Sequence, residues 1–143
     1  MESIKFICPY CKKINRLPKM SSYTKAKCGG CGASLLEGKV IEANSSDFNY
    51  ILENVTVPVI VDFWAPWCGP CRMMAPNFEQ ASRNLAPKVQ FVKVNTEENP
   101  QIAAQFGIRS IPTLIIFKNG VEVHRVSGAL STEQIMQVVS QFQ

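Results

Sequence analysis

The sequence predicts an α/β protein: a mixed central sheet with helices on both faces, preceded by a small cysteine-rich N-terminal unit. Three observations carry this. From Lys39 onward, short apolar runs alternate with helical patterns in the order β-α-β-α-β-α-β-β-α, which implies a sheet with both parallel and antiparallel neighbours. Residues 1–37 have a different texture, with no long periodic segment but with Pro9, Pro18, a Gly-Gly pair and Gly32. All six cysteines fall in three C-x-x-C pairs, CPYC (8–11), CGGC (28–31) and CGPC (68–71), and two of the pairs lie in that N-terminal stretch.

Length and composition bound the reading. At 143 residues, 46% hydrophobic and 18% charged, the chain has material for one ordinary core and a small appendage, and its composition is not that of a disordered protein. No stretch approaches the roughly 18 to 20 apolar residues of a membrane span. No basic segment followed by a long apolar one opens the chain, so a cytoplasmic location is expected, where C-x-x-C pairs are more often catalytic or metal-binding than structural disulfides. Charge is uneven: residues 1–37 carry seven basic and two acidic side chains, net +5, against 8 and 9, net −1, in the remainder. A basic arm can attract nucleic acid. Four thiolates on a zinc ion would reduce the arm to about +3, so nucleic acid is not the expected partner.

Along the chain, Lys39 to Ala43 alternates as a short strand, and SSDFNYILENV continues as a helix capped by Ser45 or Ser46. PVIVDFWA (58–65) is the apolar, β-branched run of a strand covered on both faces. The segment after PWCGPC places Met73, Met74, Phe78, Ala81 and Leu85 at helical spacing, with a kink expected at Pro76. VQFVKV (89–94) is a second buried strand, and ENPQIAAQFG a short helix ending at Gly107. TLIIFKNGVEVHRVSG reads as a hairpin reversing at Asn119-Gly120. STEQIMQVVSQF is a helix with Ser131 and Gln134 spaced as a capping box. The change of texture puts the domain boundary between residues 37 and 38.

Chemistry is expected first at CGPC. Cys68 lies just past the carboxyl end of a central strand and opens a helix, where unpaired N–H groups and the helix dipole favour a thiolate. Cys71 lies one turn on, within reach of a disulfide, and Gly69 and Pro70 suit the tight entry into the helix. Asp62 is an acid inside an apolar strand. Burial would raise its pKa and suit it to take the proton leaving Cys71. Pro112 precedes a strand; local sequence alone favours a trans bond there. His124 is expected to be an exposed strand residue, and Met73 and Met74 to pack in the core rather than bind metal.

The string VDFWAPWCGPC, the Ala-Pro shortly after it, FVKVNTEENP, FGIRSIPTLIIFKNG and GAL resembles the thioredoxin family over residues 39–143. That resemblance implies a thioredoxin fold, attack on client disulfides by Cys68, resolution by Cys71, a proton relay at Asp62 and a cis Pro112 facing the dithiol. It also implies a flat docking groove of Trp64, Trp67, Ile111 and Gly128 around Gly69 and Pro70, with Lys93 modulating Asp62. It further implies re-reduction by an NADPH-dependent thioredoxin reductase. The Gly-Pro dipeptide favours a reductase over an oxidase or isomerase of the same fold. A zinc-dependent binding module with an idle redox domain is the remaining alternative.

CPYC resembles the glutaredoxin active site, yet only seven residues precede Cys8, too few for the strand and loop that would place it on a sheet, and the segment after Cys11 has no helical stripe. With CGGC it forms C-x2-C-x16-C-x2-C, the spacing of a four-cysteine zinc site, so Cys8, Cys11, Cys28 and Cys31 are expected to hold one zinc in a zinc-ribbon-like unit. Gly29, Gly30 and Gly32 let backbone N–H groups turn toward the sulfurs. The arm resembles that of the bacterial thioredoxins with a zinc-binding N-terminal extension, the thioredoxin 2 type. No cofactor beyond a redox-active disulfide is expected in residues 38–143.

Overall fold

The computed structural model describes residues 2–143. Two sheets are present: β1 (Ser3–Ile7) pairs antiparallel with β2 (Ile14–Pro18), and β3 (Ile41–Glu42), β4 (Val59–Trp64), β5 (Gln90–Asn95), β6 (Thr113–Lys118) and β7 (Val121–Ser127) form a five-stranded sheet in the order β3-β5-β4-β6-β7. β3, β5 and β4 run parallel, while β6 runs antiparallel to β4 and β7 antiparallel to β6, giving the mixed sheet the sequence predicts. The helices are α1 (Ser45–Asn54), α2 (Gly69–Leu85), α3 (Pro100–Gln105) and α4 (Thr132–Ser140).

β4 is buried throughout except Trp64, because apolar layers cover both of its faces. Val59, Val61 and Phe63 face the layer that holds Phe48 and Ile51 of α1 and Ile102 of α3. Ile60 faces Met74, Phe78 and Ala81 of α2 and Ile135 and Val139 of α4. Strand alternation therefore turns Asp62 and Trp64 to the α2 side. Asn119 and Gly120 have φ of 52° and 81°, the left-handed pair that a two-residue reversal requires. Ser131 and Gln134 close the capping box. Among the described residues no helix is long and apolar enough to cross a membrane.

Four expectations are corrected. α1 is capped by Asn44, whose Oδ1 accepts the Asp47 N–H at 2.9 Å; the helix begins at Ser45, so neither serine occupies the cap position. Met73 is 74% exposed, because only every third or fourth residue of α2 meets the sheet and Met74 takes that place. His124 is half-buried rather than exposed, its ring 5.7 Å from that of Phe142. A strand does precede Cys8. The seven residues suffice because β1 pairs with β2, not with the main sheet.

The arm is docked on the main sheet rather than tethered to it. Phe6, Ile7, Leu35 and Ala26 belong to the same apolar cluster as Ile41, Phe48 and Val57. Gln90, fully buried at the head of β5, accepts the Ile7 N–H at 2.8 Å and donates to the Ile7 carbonyl at 3.2 Å. Lys5 and Thr56 exchange a second pair, at 2.8 and 3.1 Å. Gly38, with φ of +72°, passes so close to α2 that a Cβ there would lie 2.4 Å from the Arg83 Cα. Only glycine meets both demands.

Candidate functional site

Cys68 is the N-cap residue of α2. Its Sγ accepts the Cys71 N–H at 3.2 Å and is bonded to Cys71 Sγ, with Cα atoms 5.3 Å apart. A sulfur held at the first turn of a helix faces the unpaired N–H groups and the positive end of the dipole, which stabilises negative charge on it. Both cysteines are buried, at 4% and 3% exposed, against Ala65, Trp64 and Ile111. The Ile111-Pro112 bond is cis, as the resemblance implies and against local preference, and the Ile111 carbonyl oxygen stands 3.7 Å from Cys68 Sγ. Ala86-Pro87 is also cis, which nothing in the sequence signalled.

The rim is apolar and open. Trp67 is 66% exposed, its Nε1 donating to Glu97 Oε1 at 2.5 Å; Gly69 has no neighbour where a Cβ would stand. Gly128, φ +100°, donates its N–H to the Pro112 carbonyl at 2.9 Å and ties the end of β7 to the proline loop. Trp64, Trp67, Gly69, Pro70 and Ile111 thus surround the disulfide or adjoin it in the chain, with Gly128 held to the proline.

Asp62 lies on β4 two residues before Trp64. It is 4% exposed, and among the described residues its Oδ1 has no hydrogen-bond partner. Desolvation raises its pKa to about 7, with the Lys93 charge pulling the other way. Lys93 is Asp62's register partner on β5, and its Nζ stands 5.3 Å from the Trp64 ring centroid. Trp64 Nε1 is likewise buried without a partner among the described residues.

The other four cysteines converge at two matching turns. Lys12 N–H donates to the Cys8 carbonyl at 2.9 Å and Gly32 N–H to the Cys28 carbonyl at 3.0 Å; Cys8 N–H meets Lys13 O and Cys28 N–H meets Ala33 O. Lys12 and Gly32 occupy the same place in each turn and both have positive φ, 67° and 77°. The four Sγ atoms lie within 4.8 Å of one another, Cys8 to Cys31 at 3.7 Å and Cys11 to Cys28 at 3.4 Å. A zinc-sulfur bond of about 2.3 Å gives a tetrahedron with edges of about 3.8 Å. The donor set therefore fits a four-thiolate metal site.

Supporting donors are in place. Gly30 N–H reaches Cys28 Sγ at 3.3 Å, and Asn15 Nδ2 at 3.5 Å, while Asn15 Oδ1 accepts the Gly29 N–H at 2.9 Å. Desolvation opposes the Cys28 thiolate, but Asn15, the Cys31 and Gly30 N–H groups and Cys11 together hold its pKa down at about 6. A Cβ on Gly30 would lie 2.8 Å from the Lys13 side chain and 3.6 Å from two sulfurs.

Asn15 and Gln90 were not singled out by sequence. Gln90 did carry a signal, a polar residue in an apolar strand run; Asn15, in a short basic stretch, carried none.

A reversible disulfide seated on a helix start beside a cis-proline loop defines a thiol-disulfide oxidoreductase. Relatives narrow the class. The thioredoxin family profile matches residues 39–141. Thioredoxin C-3 of Corynebacterium nephridii is 42% identical over 94% of this chain and 92% of its own, a match that reaches into the arm. Thioredoxin 1 of Nostoc sp. is 50% identical over 68% of this chain and 92% of its own. The crystal structure of Malassezia sympodialis thioredoxin superposes with a TM-score of 0.67 at 37% identity, covering 73% of this chain and 91% of that one. The chain belongs to the thioredoxin family, and its activity is protein-disulfide reduction.

Proposed function

We propose that Cys68 is the attacking nucleophile, Cys71 the resolving thiol and Asp62 the proton acceptor. The observation that carries this is the Cys68 sulfur at the N-cap of α2, accepting the Cys71 N–H at 3.2 Å. In the reduced protein the Cys68 thiolate attacks one sulfur of a client disulfide, forming a mixed disulfide and releasing the other client sulfur as a thiolate. Cys71 then yields its proton to the Asp62 carboxylate and attacks Cys68. The mixed disulfide breaks, Cys68-Cys71 closes, and the client leaves with two thiols and two electrons gained. A carboxyl titrating at about 7 is divided between its two forms at neutral pH, as a proton relay needs.

Trp64, Trp67, Gly69, Pro70, Ile111, Pro112 and Gly128 form the surface on which the client segment docks, and Lys93 tempers the charge of Asp62. An NADPH-dependent thioredoxin reductase restores the dithiol, making the protein an electron carrier of cytoplasmic redox balance. Residues 1–37 form a zinc-binding domain whose Cys8, Cys11, Cys28 and Cys31 would hold the ion as thiolates. Zinc there supplies a cross-link between the two turns, and the arm's further role is docking or redox response. Contacts between rather than within the arm's pairs favour metal over a second dithiol.

The test is Cys71→Ser. It is expected to accumulate a covalent complex with a disulfide-bearing client, absent from Cys68→Ser and dissolved by dithiothreitol. Complex formation by Cys68→Ser instead would reverse the assignment of the two sulfurs.

A further inference from the structure

Lys93 stands between two acids. In sheet register Glu42 on β3 is its partner on one side and Asp62 on β4 on the other, so three side chains leave one face of the sheet in a row. At about 4.8 Å between strands, the two acids are rooted about 10 Å apart. Burial falls across the row: Asp62 is enclosed, Lys93 half-buried and Glu42 exposed. Among the described residues Lys93 forms an ion pair with neither acid.

Glu42 and Lys93 also share a groove of about 490 Å³ between the arm, β3 and α2. Its other ionisable walls are Lys39 beside β3, Tyr10, Lys12 and Glu37 of the arm, and Glu79 and Arg83 of α2. Several of these are already engaged. Tyr10 donates to Glu37 at 2.6 Å, and Lys39 Nζ lies 4.7 Å from the Tyr10 ring centroid. On the far side of Asp62, β6 offers only apolar Leu114. Glu42 is thus the one acid of the groove placed in register with Lys93.

We propose that Glu42 is a positioning residue for the exchange reaction: it competes with Asp62 for the Lys93 ammonium and so governs how much of that charge reaches the buried carboxylate. The inference rests on Asp62 as the proton acceptor. With Asp62 protonated, the lysine is drawn outward to Glu42. With Asp62 ionised, it is drawn inward. Glu42 thereby keeps Asp62 the stronger base, and neutralising it leaves the lysine's whole field on Asp62.

The experiment tracks the Asp62 carboxyl by carbon-13 NMR in the full-length, zinc-loaded, reduced protein, alongside the pH profile of client reduction. E42Q is expected to lower the Asp62 midpoint by about half a pH unit at low salt. The shift should shrink in strong salt, because Glu42 is exposed. It should vanish in a K93M background, and E79Q should move the midpoint clearly less. An unmoved midpoint in E42Q, a shift that survives K93M, or an equal shift from E79Q would overturn the proposal. A shifted Asp62 midpoint with an unmoved pH profile would uphold the Glu42–Lys93 coupling and sink the proton role of Asp62 instead.

Discussion

Cys68 and Cys71 are joined within their own pair, whereas the close sulfur contacts of the arm run between pairs, Cys8 to Cys31 and Cys11 to Cys28. The spacing is the same in all three. The difference lies in the backbone after the first cysteine. Beyond Cys68 the chain enters a 17-residue helix, which stacks the second cysteine one turn above the first and supplies N–H groups to one sulfur. Beyond Cys8 and Cys28 it turns back through a positive-φ residue, which splays each pair and presents two sulfurs to a facing turn. On the proposed reading, a helix start suits a sulfur to serve as nucleophile and then leaving group, whereas two facing turns give four sulfurs the arrangement a tetrahedral metal site would need.

The largest effect that would sharpen this contrast comes from the cysteines themselves. Cys68→Ser should lower client reduction by roughly a thousandfold or more, measured by insulin reduction, whereas Cys31→Ser should leave the rate within a few-fold. Equal losses would erase the distinction between the regions. Next in size is metal removal. Chelation should destabilise the protein by several kcal/mol and abolish hydrogen-exchange protection in residues 3–37 while β4 to β6 remain protected, since zinc binding and folding of such units are coupled.

Asp62 gives an effect with a defined sign. Its folded pKa is about 7 against an ordinary value near 3.8. The folded state holds the proton more tightly, so this contribution is fully present below about pH 4 and is lost as pH rises to about 7. Asp62→Asn should flatten that fall and be more stable than wild type at pH 8 by roughly 2–4 kcal/mol, read from urea unfolding. The same variant should reduce client disulfides at least roughly tenfold more slowly at neutral pH. The smallest effect probes the seam between the regions. Gln90→Leu removes both bonds to Ile7 and should cost about 1–3 kcal/mol, with opening confined to β1 and β2.

Much of this was legible in the sequence because its signals are local. The Asn119-Gly120 reversal, the Ser131 capping box, the apolar run of β4 and the position of CGPC after it each depend on a few adjacent residues. Features set by distant partners were not legible. β1 and β2 are five residues each and are held to the main sheet by partners far away in the chain, among them Gln90, 83 residues from Ile7. Asn15 acquires its role only when Cys28 folds onto it. Met73 and Met74 read alike in the sequence, but Met73 stands one helical step off the buried face, and the cis Pro112 follows from family resemblance rather than local preference. Glu42 joins Lys93 and Asp62 only through register, which no window of sequence displays.

The central claim is that one C-x-x-C pair exchanges electrons while two hold metal. Its most direct test is zinc content measured together with reactive thiols on the gently reduced native protein. The account predicts one zinc per chain and two fast-reacting thiols, rising to six after denaturation with chelator. A protein without metal, in which more than two thiols cycle with thioredoxin reductase, would contradict it and make CPYC a second redox site.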